Sequence, residues 1–148
     1  MPDVHSELVM PAPLERVWEA ARAVERFSEF LPNVKQVVVR AREGERTVTE
    51  WEGLVPEFRR TIRWVEEDRW DETARRCEFH AISGDWDRYE GVWSFTTEGD
   101  RTRVVLDIGY DYRVPLIGPL IQKLLHKLVV RNAEEMLEGL RRQVAGGG

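Results

Sequence analysis

Few side chains in this 148-residue sequence are both reactive and placed to act together. Arg60 stands out, because the alternation that turns Phe58, Ile62 and Trp64 to one face of a strand turns its guanidinium the same way. A guanidinium on a dry face needs a carboxylate or a ligand oxygen. Glu50 on the neighbouring strand is a conceivable partner, and an arginine at a wet sheet edge is the plainer alternative. Asn132 shares one side of a helix with Leu125, Leu128 and Met136, so its amide either meets a bound molecule or satisfies a backbone group or water. His80 lies two residues from Glu78 and Ile82 and would form an acid–base pair with Glu78 if inward, yet alternation points that face to solvent. Cys77 is the only cysteine, which excludes an internal disulfide, a thiolate cluster and a CxxC pair and leaves a small core residue. The sequence contains no HExxH, P-loop, GxGxxG or GxSxG, and its three histidines are far apart. No catalytic residue, metal ligand or cofactor is therefore assigned.

The aromatic residues carry more information. Trp51, Trp64, Phe79, Tyr89, Trp93, Tyr110 and Tyr112 fall at alternating positions that share faces with aliphatic neighbours, where they would either fill a core or enclose an apolar ligand. The candidate ligand-binding set is these seven with Arg60, Leu125, Leu128 and Asn132. Leu116 and Ile117, between Pro115 and Pro119, would gate a pocket, touch a membrane or partner, or simply lead into the last helix.

The positioning elements follow from periodicity. Residues 5–10 read as a first strand stopped by Pro11 and Pro13. Pro13 suits the first turn of a helix of about three turns, in which Leu14, Val17, Trp18 and Ala21 recur at helical spacing. Phe27 to Leu31 reads as a short second helix ending at Pro32. From Val34 to Tyr112 the pattern alternates between turn residues and predicts six strands in hairpins. Val104, Leu106, Ile108, Tyr110 and Tyr112 should share one dry face, as should Tyr89, Gly91, Trp93 and Phe95. After Gly118-Pro119 the spacing of Ile121, Leu124, Leu125, Leu128, Val129, Met136, Leu137 and Leu140 predicts one helix of about 25 residues. This is an α+β fold in β-α-α-β6-α order, one domain over 1–148, with a frayed tail at 146–148. Such a sheet must bend around the helix, and Gly53, Gly91 and Gly109 are where it would kink, leaving a cavity.

Composition is globular, with 33% charged and 42% hydrophobic residues. A net charge of −5 and a pI near 5.3 argue against a nucleic-acid partner, since phosphate contacts need clustered Lys and Arg. Neither a membrane-spanning run nor a signal peptide is visible, so a cytoplasmic location is expected. Oligomeric state is not legible.

Met10-Pro-Ala-Pro-Leu-Glu-Arg-Val-Trp18, Phe30-Leu-Pro-Asn-Val34, Gly91-Val-Trp-Ser-Phe95 with the following Gly99-Asp-Arg-Thr-Arg-Val104, and Val114-Pro-Leu-Ile-Gly-Pro-Leu120 together resemble the START-like (SRPBCC, Bet v 1-like) superfamily. The polyketide cyclase/dehydrase and coenzyme-Q-binding branch looks nearest. The resemblance covers nearly the whole chain and implies a helix-grip fold, a curved sheet of about seven strands around the C-terminal helix. It implies first a non-enzymatic carrier of a hydrophobic small molecule such as a lipid, polyketide or quinone-like compound. The alternatives are a polyketide cyclase, aromatase or dehydrase using Arg60, Glu50 or Asn132, and a coenzyme-Q chaperone or ribosome-associated toxin-like interaction module. Transient membrane contact is compatible with all three.

Overall fold

The computed structural model describes residues 3–31, 34–55, 60–112 and 119–145. The chain runs β1 (Asp3–Met10), α1 (Leu14–Arg22), a 3₁₀ turn (Val24–Arg26), α2 (Phe27–Phe30), β2 (Val34–Glu43), β3 (Arg46–Val55), β4 (Arg60–Asp71), β5 (Arg76–Gly84), β6 (Arg88–Glu98), β7 (Arg101–Asp111) and α3 (Pro119–Ala145). The strands form a single antiparallel sheet in the order β1-β7-β6-β5-β4-β3-β2. Consecutive strands are thus neighbours, and only β1 is brought in from elsewhere, against β7. This is the α+β helix-grip arrangement that the residue pattern predicts.

β1 begins two residues earlier than alternation indicates, and α3 runs 27 residues instead of about 25. Pro13 sits just ahead of α1 with extended backbone, and its carbonyl accepts from the Arg16 and Val17 amides. The missing N–H of Pro13 thus costs the helix nothing. Val17, Trp18 and Ala21 are buried as their spacing requires. Positive φ at Gly44 and Gly99 lets two tight hairpins close without a Cβ clash.

The kinks are not where the strand glycines place them, with one exception. Register slips beside Gly53, between Val34 and Gln36, and again between Val39 and Ala41 and between Val65 and Glu66. Gly91 and Gly109 lie in unbroken register. Gly91 is there for clearance instead: a Cβ would come within 2.5 Å of Phe79 Cζ and 2.2 Å of the Asp107 carbonyl oxygen.

The inward sets on β6 and β7 are those that alternation predicts, with Tyr89, Trp93, Phe95, Val104, Leu106, Ile108 and Tyr110 buried, and Tyr112, just past β7, also buried. Trp51, Ile62, Trp64, Cys77 and Phe79 are buried on β3, β4 and β5. His80 and Glu78 are exposed, as their parity requires. The segment holding Leu116 and Ile117, the side chains of Phe58 and Arg60, and the 146–148 tail lie outside the described residues.

Candidate functional site

α3 packs closely on β1 and α1 and touches α2, while its backbone stands off from the middle of the sheet. Two adjoining chambers of about 80 and 40 Å³ occupy that gap. The outer one lies between Leu125, Leu128 and Val129 of α3 and the rings of Trp64, Trp86 and Tyr89. It reaches the surface where Leu54 and Arg131, both exposed, stand at its rim. The inner one is enclosed by Trp51, Phe79, Cys77, Trp93 and Met136. Val34, Trp64, Tyr89 and Asn132 belong to both, so they form the passage between them. Volumes of this size hold only a few waters, so a larger ligand enters by moving side chains.

The walls are mostly aromatic. Trp51 and Trp64 stack with planes 4° apart and centroids 5.8 Å apart, and Trp86 stacks on Tyr89 at 5.0 Å. Three polar groups break this surface. The Tyr89 hydroxyl, on a side chain only 6% exposed, and the Asn132 amide have no hydrogen-bond partner among the described residues. The buried Trp86 indole N–H is also without one.

The inner chamber is floored by two acids. Glu66 and Asp68 of β4 are 5% and 4% exposed and share the inward face with Trp64 and Trp70. The Trp64 indole donates to Glu66 Oε1 at 2.8 Å, and the Thr47 and Thr49 hydroxyls donate to Asp68 Oδ2 at 3.2 and 2.9 Å. Those hydroxyls in turn accept from the Trp70 and Trp51 indoles. Every donor to the pair is neutral. Loss of water raises the affinity of both carboxyls for a proton, most for Glu66, whose bond to Asp68 favours the protonated form. Asp68, with two hydroxyl donors, is the better anion of the two. Burial, followed by the charge of the acids, likewise holds the Tyr89 hydroxyl and the Cys77 thiol protonated, so Cys77 is no nucleophile.

Residues 10–137 match the family described as polyketide cyclase / dehydrase and lipid transport. The chain belongs to this family. No curated protein sequence matches it significantly. Among solved structures, a Thermus thermophilus protein shares 40% identity over 99% of both chains with a TM-score of 0.93. The Zhui aromatase/cyclase of a Streptomyces species is 20% identical, covers 99% of this chain and 98% of its own, and has a TM-score of 0.87. A STAR-related lipid transfer protein of Xanthomonas axonopodis is 14% identical over 95% of this chain and 84% of its own, with a TM-score of 0.80. The last two show a shared START fold. No helix among the described residues is long and apolar enough to cross a membrane.

For this member of the polyketide cyclase/dehydrase family, the structure sorts the candidate residues into three groups. Trp51, Trp64, Phe79, Tyr89, Trp93, Leu125, Leu128 and Asn132 line one or both chambers. Tyr110 and Tyr112 are buried but line neither. The edge of Trp86 meets both at 5.8 and 5.6 Å, and the Tyr110 hydroxyl bonds His126 Nδ1 at 3.0 Å. Arg60 is on β4 opposite Val55, and its side chain lies outside the described residues. Glu50 is not available to it: β3 turns Glu50 to the outer face, where Arg40 Nε donates to it at 3.0 Å. Sequence reasoning missed Glu66, Asp68, Thr47, Thr49 and Trp86. The first four were within reach, since the parity that buries Ile62 and Trp64 also buries residues 66 and 68, and the parity that buries Trp51 buries 47 and 49. Trp86 lies in the turn after Gly84, where alternation carries no information.

Proposed function

We propose that this protein binds a hydrophobic small molecule in the two-chambered hollow under α3, with the aromatic rings as its walls. The observation that carries this reading is the buried Tyr89 and the half-buried Asn132, which line that hollow while their polar groups have no hydrogen-bond partner among the described residues. Buried polar groups are ordinarily hydrogen-bonded, and a ligand that bears one or two polar atoms on an apolar body completes both. The membership of a family that includes lipid transport supports the same reading. Lipid extract from the expression host, incubated with the protein and analysed by native mass spectrometry, tests it. Retention of a small apolar molecule by the wild type, weakened in Leu128→Trp where the outer chamber is blocked, is expected. Equal capture by both would place binding elsewhere, and no capture of any apolar compound would end the reading.

A cyclase or dehydrase activity is the second reading, favoured by one specific feature. Glu66 and Asp68 set a proton donor beside a proton acceptor within the hollow, which is what enolisation or loss of water from a keto compound requires. Turnover of a reactive diketone that survives in Glu66→Gln and Asp68→Asn would remove it.

A further inference from the structure

The inner chamber holds two buried carboxyls with no basic side chain among the described residues to pair with them. Among the described residues, no Lys, Arg or His makes an ion pair or hydrogen bond with Glu66 or Asp68. Among the described residues, the charged and titratable groups near the pair point elsewhere or stay neutral. Arg22 of α1 lies over the Trp70 ring at 5.8 Å. Glu67 is turned outward to Arg46 and Arg69. Cys77 of β5 and Tyr89 of β6 stay protonated, and α3 contributes the neutral Asn132 and Met136 there, with Arg131 and Glu135 further out at the outer chamber. An acid pair by itself is no ligand site. Tyr89, only 6% exposed, lines both chambers, and neither its hydroxyl nor the amide of the half-buried Asn132 beside it has a hydrogen-bond partner among the described residues.

We propose that the inner chamber receives a cationic head group, a protonated amine on an apolar body, seated among the Glu66 and Asp68 carboxyls, the Tyr89 hydroxyl and the Asn132 amide oxygen. This rests on the binding reading above and adds the charge of the ligand to it. An ammonium has three N–H donors and needs three acceptors, which these four side chains supply. Trp64, Trp93 and Phe79 line the same space, and a cation is drawn to aromatic ring faces when water is excluded. In that low-dielectric setting a positive charge relieves the repulsion between the acids, whereas a ligand carboxylate adds to it. Seating the amine lets Glu66 give up its proton, so binding releases a proton to solvent and tightens as pH rises.

The test is isothermal titration calorimetry of the full chain with three matched probes, phenylbutylamine, phenylbutanol and phenylbutyrate. The amine is expected to bind about tenfold or more tighter than the alcohol near neutral pH, with the acid weakest. In two buffers of different ionisation heat, the amine should release a fraction of a proton up to one, and the alcohol none. Glu66→Gln and Asp68→Asn, checked for folding by circular dichroism, should each bring amine and alcohol affinities to within about threefold of one another. Glu135→Gln at the outer chamber should not. The proton-release measurement needs no variant, so misfolding of either substitution does not protect the idea. Alcohol binding as tight as amine binding, no proton release, or an amine preference that survives both inner substitutions would overturn it while leaving the cavity reading intact. Failure of all three probes together with the lipid extract would overturn the cavity reading itself.

Discussion

The two halves of the sheet's inner face obey the same alternation and end in different states. On β1, β6 and β7, Met10, Val104 and Leu106 are fully buried and Tyr110 nearly so, close to the equally buried Trp18, Leu137 and Leu140. Trp18 sets its edge against Phe95 at 5.2 Å and Trp70 at 5.5 Å. On β3, β4 and β5, inward positions carry Thr47, Thr49, Glu66 and Asp68 between tryptophans, and the chambers lie there, bounded on one side by Tyr89 and Trp93 of β6. The difference follows from what covers each half. Where α1 and α3 come down onto β1, β6 and β7, side chains interlock; where the helices stand further from the strands, room remains and polar groups persist. Alternation decides which face is dry, and the facing element decides whether it is filled.

If the contrast is real, truncation in the filled half is the most damaging change. Leu106→Ala is expected to cost about 3 to 4 kcal/mol, roughly 10 °C in Tm, because its surroundings cannot collapse into the void. A loss below about 1 kcal/mol in urea titration would show that this half is loosely packed as well. Gly91→Ala probes the border between halves, where the new methyl meets the Asp107 carbonyl and the Phe79 ring. We expect about 2 kcal/mol of destabilisation and a displaced Phe79, read in thermal unfolding and in the near-ultraviolet aromatic signal. An unchanged Tm would mean that Phe79 swings aside freely.

Legibility divided along the same line. The strand count, the long helix and the dry faces of β6 and β7 were visible because each side chain there does one thing, which is to bury carbon. Ile62 and Trp64 were visible for the same reason. Glu66 and Asp68 sit at the same parity but are hidden from such a pattern, because an acid in an alternating strand ordinarily marks the wet face. Glu50 is one residue out of phase with the buried Trp51, which in a strand is the whole distance from inside to outside. Gly91 gives clearance for Phe79 and no kink, a contact between strands that no single-strand pattern encodes. Trp86 reaches the hollow from a turn, and turns have no period.

The hollow half should also respond to pH in a direction the filled half cannot produce. Glu66 and Asp68 bind protons more tightly when folded than when unfolded, because burial disfavours their charge. Their contribution is therefore fully present below the unfolded carboxylate range near pH 4, and it is lost as pH rises through their raised folded values. Glu7, Glu67 and Glu138 on the exterior, lowered by hydrogen bonds from His5, Arg46 and Arg141, act in the opposite sense and lose their contribution as pH falls. Comparing Glu66→Gln with the wild type cancels those exterior groups. The variant should be more stable by about 1 to 2 kcal/mol near pH 8 and show no advantage near pH 4. Parallel Tm-against-pH curves for the two proteins would mean that Glu66 is not held protonated by burial.

The smallest expected effect is the one that most directly separates the halves. Leu128 and Leu106 lose the same atoms on truncation to alanine, but Leu128 faces a space that is already empty and is only half-buried. It has fewer contacts to forfeit, and the cavity it leaves merges with the outer chamber instead of opening a new one. Leu128→Ala should therefore cost under about 1 kcal/mol, against three or more for Leu106→Ala. Its effect belongs in binding, where the widened chamber should favour a bulkier apolar body while Leu106→Ala leaves affinity at permissive temperature unchanged. Equal losses of stability from the two substitutions would mean that α3 is seated as tightly over β4 as over β1, and that the chambers are gaps in packing with no part in recognition.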